Sequence, residues 1–236
     1  MKKNNGIEFL LYSYFKIELN ATKDEIIKSA IEKAYTDATN QGAYNTKLIK
    51  ASQKDSSVCA RNNGEKVIKS FVEQSLSAID YDDLHNKTCD KLCRIYGTLP
   101  FTYGNAQKWI NMTMKNLYVI SLIFCECCEP QDDNLVEFCK NILSISYKFH
   151  VPIDSYIIEK IWDTKIPLPD VKLLKDGTKG MYRSDKVKGW SKWNKDEYLE
   201  CQKSLKEYIK EEYKDITPIE WEGPAWIEIA KKRSAK

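Results

Sequence analysis

Three short segments carry side chains whose types and spacing suit bond-breaking chemistry. Gln107-Lys108-Trp109-Ile110-Asn111-Met112-Thr113-Met114-Lys115 opens a helix directly after a turn that bears Pro and Gly. Lys108 is expected in the first helical turn, at the positive end of the helix dipole. That place, together with burial, disfavours the protonated amine. A lysine must shed its proton before it can attack carbon. In the second segment, His150-Val151-Pro152-Ile153-Asp154-Ser155-Tyr156-Ile157-Ile158, Asp154 reads as an N-cap whose carboxylate accepts bonds from the free N–H groups of the next helix. A fixed, ionised carboxylate can stabilise an oxocarbenium-like sugar or orient a nucleophile. The third segment, Thr217-Pro218-Ile219-Glu220-Trp221-Glu222-Gly223-Pro224-Ala225-Trp226, sets two tryptophans beside two acids, a combination that can stack on a base and hydrogen-bond it. Each segment also has a plainer reading: a solvated surface lysine, an ordinary helix cap, and an aromatic group that locks the last helix to the core.

The elements that position these residues are helical. Thr22-Lys23-Asp24-Glu25 is a capping box, followed by apolar residues at helical spacing until Asn40-Gln41-Gly42 stops them. Residues 43–62 are polar and read as a loop. Helices are expected over Glu65–Ile79, Tyr81–Tyr96, about Asn105–Cys125, from after Asn134 to about Tyr147, and over Ser155–Trp162. Residues 164–195 have no helical period and interleave lysines with Tyr182, Trp190 and Trp193; a stretch of this length is expected to be a functional or moving loop. Two helices, about Lys195–Tyr213 and about Pro224–Lys232, end the chain. The expected architecture is all-α, one domain over residues 1–236, or two lobes of about 1–100 plus the C-terminal helices and 101–163.

Composition agrees. With 236 residues and 42% hydrophobic content the chain can bury a substantial core, and only 9 Gly and 7 Pro argue against an all-β fold. The net charge of +3 permits nucleic-acid contact without demanding it. The longest apolar run, Leu117–Cys125, is too short to span a bilayer, and no signal peptide is read at the N-terminus, so a cytoplasmic protein with no membrane partner is expected. The eight cysteines are irregularly spaced and are expected as free thiols. Cys125-Glu126-Cys127-Cys128 lacks further ligands, since His85 and His150 are the chain's two histidines; neither a metal nor a cofactor is expected.

Taken in order, the three segments resemble the helix-hairpin-helix DNA glycosylase superfamily, in its archaeal 8-oxoguanine branch. Gln107-Lys108…Met112…Lys115 looks like that branch's catalytic-lysine helix, and Val151-Pro152-Ile153-Asp154 like its Pro-x-Asp segment. Tyr198-x-x-x-Gln202-Lys203, then Pro218 and Glu222-x-x-x-Trp226, are similar to its closing helices. The resemblance covers roughly residues 100–230 and implies a compact multi-helix fold of the glycosylase type. It implies a monomer that flips a nucleotide out of double-stranded DNA and excises a damaged or modified base. Lys108 and Asp154 would be catalytic. Glu222, Trp226, Trp221, Met112 and Lys115 would bind the base. Tyr103, Gly104, Lys188 and Lys192 would contact DNA.

The sequence also departs from the pattern. Lys108 and Asp154 lie further apart than the superfamily's usual interval, with the surplus placed around Cys125–Asn134. Leu99-Pro100-Phe101-Thr102-Tyr103-Gly104 stands in place of the Gly-x-Gly hairpin, and Glu222 stands where the branch has Asp. Two other classes of function stay open: a nucleic-acid-binding helical module without catalysis, and a helical protein-interaction or defence protein. No phosphate-binding Gly-rich loop and no serine nucleophile elbow is present.

Overall fold

The computed structural model describes residues 2–39, 53–128, 132–164, 166 and 189–235. Among these the fold is all-α, without a strand. Nine helices follow one another: α1 (Lys2–Phe15), α2 (Lys23–Thr39), α3 (Lys54–Ser75), α4 (Tyr81–Tyr96), α5 (Tyr103–Glu126), α6 (Asp133–Ser144), α7 (Ser155–Asp163), α8 (Lys195–Glu212) and α9 (Pro218–Ser234). Short 3₁₀ turns lie at Ser146–Lys148 and Trp190–Lys192. No helix of the described residues is long and apolar enough to cross a membrane.

Local chemistry sets most of the boundaries. Thr22 and Glu25 close the capping box of α2, with Thr22 N donating to Glu25 Oε2 at 2.7 Å. That bond, with a second from the Thr22 hydroxyl at 2.8 Å, holds the Glu25 carboxyl below its usual range. Asp80 caps α4 by accepting from Asp83 N at 2.9 Å. Gly97 ends α4 at φ 54°, a conformation that side chains resist. Asn194–Glu197 and Thr217–Glu220 form capping boxes on α8 and α9.

The chain divides into two compact units. The first comprises Met1–Phe101 and Asn105–Ser146; the second comprises Thr102–Gly104 and Tyr147–Lys236. The C-terminal helices group with residues 147–164, whereas the expected lobes joined them to the first hundred residues.

In the first unit α3 and α4 pack together and α2 lies on α3. Trp109 of α5 is fully buried among them. Its indole donates to the Ile31 carbonyl of α2 at 3.0 Å, and its ring stands edge-on to Tyr35 at 4.8 Å. Gly64 of α3 admits it: a Cβ there would lie 2.7 Å from the Trp109 ring. In the second unit α9 packs on both α7 and α8.

The cysteines of the described residues are free thiols. Burial pushes Cys201 up to about 12, and Cys93 and Cys139 to about 11. Burial also raises the Tyr81 hydroxyl well above its usual value. An unfolded thiol ionises at ~8.5. Where the folded value lies above the unfolded one, the stabilisation is whole below the unfolded value and is lost as pH rises toward the folded one. The thermal midpoint should therefore hold steady from about pH 7 to 8 and fall progressively between about pH 9 and 11. Melting curves followed by circular dichroism check this, and Cys201→Ala should flatten the alkaline slope relative to the parent.

Candidate functional site

The Lys108 segment belongs to the first unit. Because α5 begins at Tyr103, Lys108 is its sixth residue and stands in the second turn, not the first. The field of a helix end fades beyond the first turn, so it acts little on Lys108. The solvated-surface reading also fails: Lys108 is only 5% exposed, within an unbroken buried run from Tyr103 to Met114. Met112 is buried and Lys115 half-buried, and their spacing from Lys108 puts all three on one face of α5.

Beside Lys108 runs a buried polar chain. Asn111 donates from Nδ2 to Gln107 Oε1 at 3.0 Å, and its Oδ1 lies 2.9 Å from His85 Nε2 of α4. An amide oxygen only accepts, so Nε2 carries the imidazole proton. His85 Nδ1 then faces the Cys89 thiol at 3.8 Å. This chain ties the first turns of α5 to α4 and fixes the backbone that carries Lys108. Sequence reasoning assigned it no role; the signal was a row of amides on a helix otherwise rich in apolar residues.

The Asp154 segment belongs to the second unit, and Asp154 is the N-cap expected. Its Oδ1 accepts from Tyr156 N at 2.9 Å and Ile157 N at 3.0 Å. Its Oδ2 accepts from the Trp226 indole at 3.3 Å. Two of the nominated residues, 72 positions apart in sequence, therefore touch. The strand of chain leading to Asp154 is clamped by α8. Gln202 donates to Val151 O at 2.7 Å and accepts from Val151 N at 3.1 Å, and the Tyr198 hydroxyl lies 2.6 Å from His150 Nδ1. Gln202 and Tyr198 are one helical turn apart and both buried. They are positioning residues that the sequence reading quoted without giving them work.

The closing helix starts at Pro218, earlier than the expected Pro224, which lies inside α9. Trp226 is half-buried. Glu222 is 1% exposed, and Trp221 is buried with its ring edge-on to Tyr208 at 6.4 Å.

Tyr103 and Gly104 are both buried. The Tyr103 ring lies 5.9 Å from that of Tyr198. Thr102 Oγ1 donates to the Ser191 carbonyl, and a Cβ on Gly104 would run into the Trp190 carbonyl and lie 2.8 Å from Ser191 C. Lys192, on the same 3₁₀ turn, is exposed; Lys188 and most of the basic stretch lie outside the described residues. Gly104→Ala should therefore destabilise the protein. The change gains up to ~1 kcal/mol of helix propensity, but overpacking against backbone costs about 1–3 kcal/mol. A lowered urea midpoint is the measurement.

Set against known proteins, the chain matches no family model, no curated protein and no solved structure. Among the described residues, no group of three or more His, Cys, Asp or Glu side chains is placed to hold a metal ion.

Proposed function

We propose that this chain is a DNA glycosylase with lyase activity, of the helix-hairpin-helix type, acting on a damaged or modified base flipped out of duplex DNA. The observation that carries the reading is the bond between Asp154 and Trp226, which joins the segment nominated for charge stabilisation to the segment nominated for base binding. The burial of Lys108, which is only 5% exposed, keeps its side chain out of bulk solvent, as a positioned nucleophile requires.

In the proposed reaction the Lys108 amine attacks C1′ of the deoxyribose through its nitrogen lone pair. The C1′–N bond breaks, its electron pair leaves with the base, and the base takes up the proton that the attacking amine gives up. Asp154 stabilises the positive charge that builds on the sugar. Ring opening gives a Schiff base between Lys108 and C1′. Loss of a C2′ proton then expels the 3′ phosphate by β-elimination. Glu222 and Trp226 hold the expelled base, and exposed Lys192 contributes to phosphate contact.

Borohydride reduces such a Schiff base to a permanent cross-link. Full-length protein mixed with duplexes carrying oxidised, alkylated or otherwise modified bases should yield a covalent complex with at least one, and none after Lys108→Gln. No cross-link with any base, and no difference on Lys108→Gln, overturns the reading.

A binding module without catalysis would bind DNA without cross-linking to it. The backbone of Trp190 and Ser191 covers Gly104, where a DNA-binding hairpin would present its amides, so phosphate contact there is blocked in either nucleic-acid reading. Phe9, Leu10, Tyr12 and Tyr14 of α1 are all more than half exposed, and this favours a protein-interaction role. Neither binding nor cross-linking would point there.

A further inference from the structure

We propose that Arg233 is a positioning residue for Asp154, acting through the stacked rings of Tyr156 and Trp226; the inference rests on reading Asp154 as the carboxylate of the site. An N-cap needs one carboxylate oxygen. Asp154 Oδ1 does that work, bonded to the amides of Tyr156 and Ile157. Oδ2 accepts from the Trp226 indole. The orientation of the carboxylate plane is therefore coupled to where the indole is held.

Tyr156 holds it. The Trp226 and Tyr156 rings stack at 4.6 Å with 25° between their planes. Tyr156 thus acts on Asp154 twice, through its amide on Oδ1 and through its ring on the donor to Oδ2. The Arg233 guanidinium lies 3.9 Å from the Tyr156 ring centroid. An indole and a guanidinium at these separations cannot share one face of a ring, so Tyr156 is sandwiched between them.

Arg233 is itself fixed at three points. Its Nε donates to Glu159 Oε2 at 2.9 Å, Nη2 to Ser155 O at 2.9 Å, and Nη1 to Ser155 Oγ at 3.3 Å. Trp226 and Arg233 are two helical turns apart on α9, and hence on one face. Lys232 adds a second tie between the same helices, bonded to Asp163 at 2.5 Å and 3.4 Å from Glu159. The bond to Asp163, with Glu159 adding to it, raises the Lys232 ammonium above its usual range. The last turn of α9 is therefore bolted to α7, and the bolt ends on the carboxylate of Asp154. A lysine at position 233 keeps the charge but has neither the plane that stacks nor the fork that bonds three ways.

The test needs no DNA. In the full-length protein, ¹⁵N-labelled at its six tryptophans, Trp226→Phe identifies the Trp226 indole N–H signal. In the parent that signal should move as acid protonates Asp154. Asp154→Asn should abolish the step, which separates it from titration of the neighbouring Glu159 and Asp163. Arg233→Lys should shift the signal toward that of a solvent-exposed indole and remove the acid step, while the helical circular dichroism stays unchanged because Oδ1 still caps α7. Tyr156→Leu, which keeps the amide and loses the ring, should do the same. An unshifted signal with its acid step intact in both variants overturns the proposal.

Activity separates this proposal from the one beneath it. If the parent cross-links DNA, Arg233→Lys should lower kcat roughly tenfold or more with little change in KM, and should displace the acid limb of the pH–rate profile. A parent-like kcat and profile overturns the inference and leaves the glycosylase reading standing. A protein that cross-links no DNA, yet shows the spectroscopic coupling, sinks the glycosylase reading and leaves the mechanical link intact.

Discussion

Trp109→Ala should be the most damaging single substitution outside the site, lowering stability by about 3–5 kcal/mol. The side chain is fully buried, and α2 and α3 are both shaped to it. Its indole is bonded to the Ile31 carbonyl, and Gly64 has no side chain because the ring edge occupies that space. Truncation loses the transfer energy of a large aromatic and leaves a cavity that a glycine on one wall cannot refill. Against a total stability of ~5–15 kcal/mol, the loss is a large fraction. For a chain of this length the melting midpoint should drop by roughly 10 °C or more. Trp109→Phe keeps most of the volume and loses the indole bond, so it should cost clearly less. Equal losses for the two variants would mean that the hydrogen bond, not the ring, holds these helices.

The elements legible in the sequence are those with a chemical start signal and one buried face. α2, α4, α7 and α8 each begin at a side chain that caps them, and their apolar residues recur at helical spacing. Helix α1 escaped because its apolar residues do not share a face. Leu11 and Phe15 are buried while Phe9 and Leu10 are exposed, so no period emerges. Helix α3 begins at Lys54, not at Glu65, because its first turns are largely exposed and polar. There Gly64 looks like a break, although it is a packing requirement set by Trp109, which is distant in sequence. In α9 two prolines competed for the first position. The capping box of Thr217 and Glu220 decides for Pro218, and Pro224 is accommodated inside the helix without an N–H to give.

At the site, what is local was readable and what is tertiary was not. The cap at Asp154 follows from an aspartate placed directly before an apolar helical run. Its second bond, to Trp226, depends on how α9 meets α7, and no pattern within either segment encodes that. The burial of Lys108 is of the same kind. A lysine near a helix start looks solvated until the helix is known to be covered on all sides from Tyr103 to Met114. The buried histidine and amides beside it, and the clamp of Gln202 on Val151, are long-range pairs of polar groups. Each such group is costly to bury unless partnered, so each partner is informative, but only the fold reveals which residues are paired.

Lys108→Gln should separate folding from chemistry more sharply than any other change. Glutamine is shorter and uncharged, and it keeps a polar end for the surroundings of a residue that is 5% exposed. Surface substitutions stay within ~0.5 kcal/mol, while a buried polar change reaches about 1–3 kcal/mol. The protein should therefore remain folded, with a modestly lower melting midpoint. An amide nitrogen cannot form a Schiff base, so borohydride cross-linking should vanish outright, and base release should fall by at least 10²–10⁴-fold, the range in which positioned catalytic groups act. Asp154→Asn makes the informative contrast. Asparagine still caps a helix through its oxygen but turns an N–H group toward the Trp226 indole, so stability should fall by about 0.5–1.5 kcal/mol, and Lys108 is still present to be trapped. Base release should slow by about 10²–10³-fold, the measured scale for removing one electrostatic stabiliser of a transition state, while the cross-link that does form should stay at Lys108 when mapped by peptide mass. If Lys108→Gln cross-links as well as the parent, the nucleophile is another amine. If Asp154→Asn releases base at the parent rate, the carboxylate of Asp154 is a helix cap and nothing more.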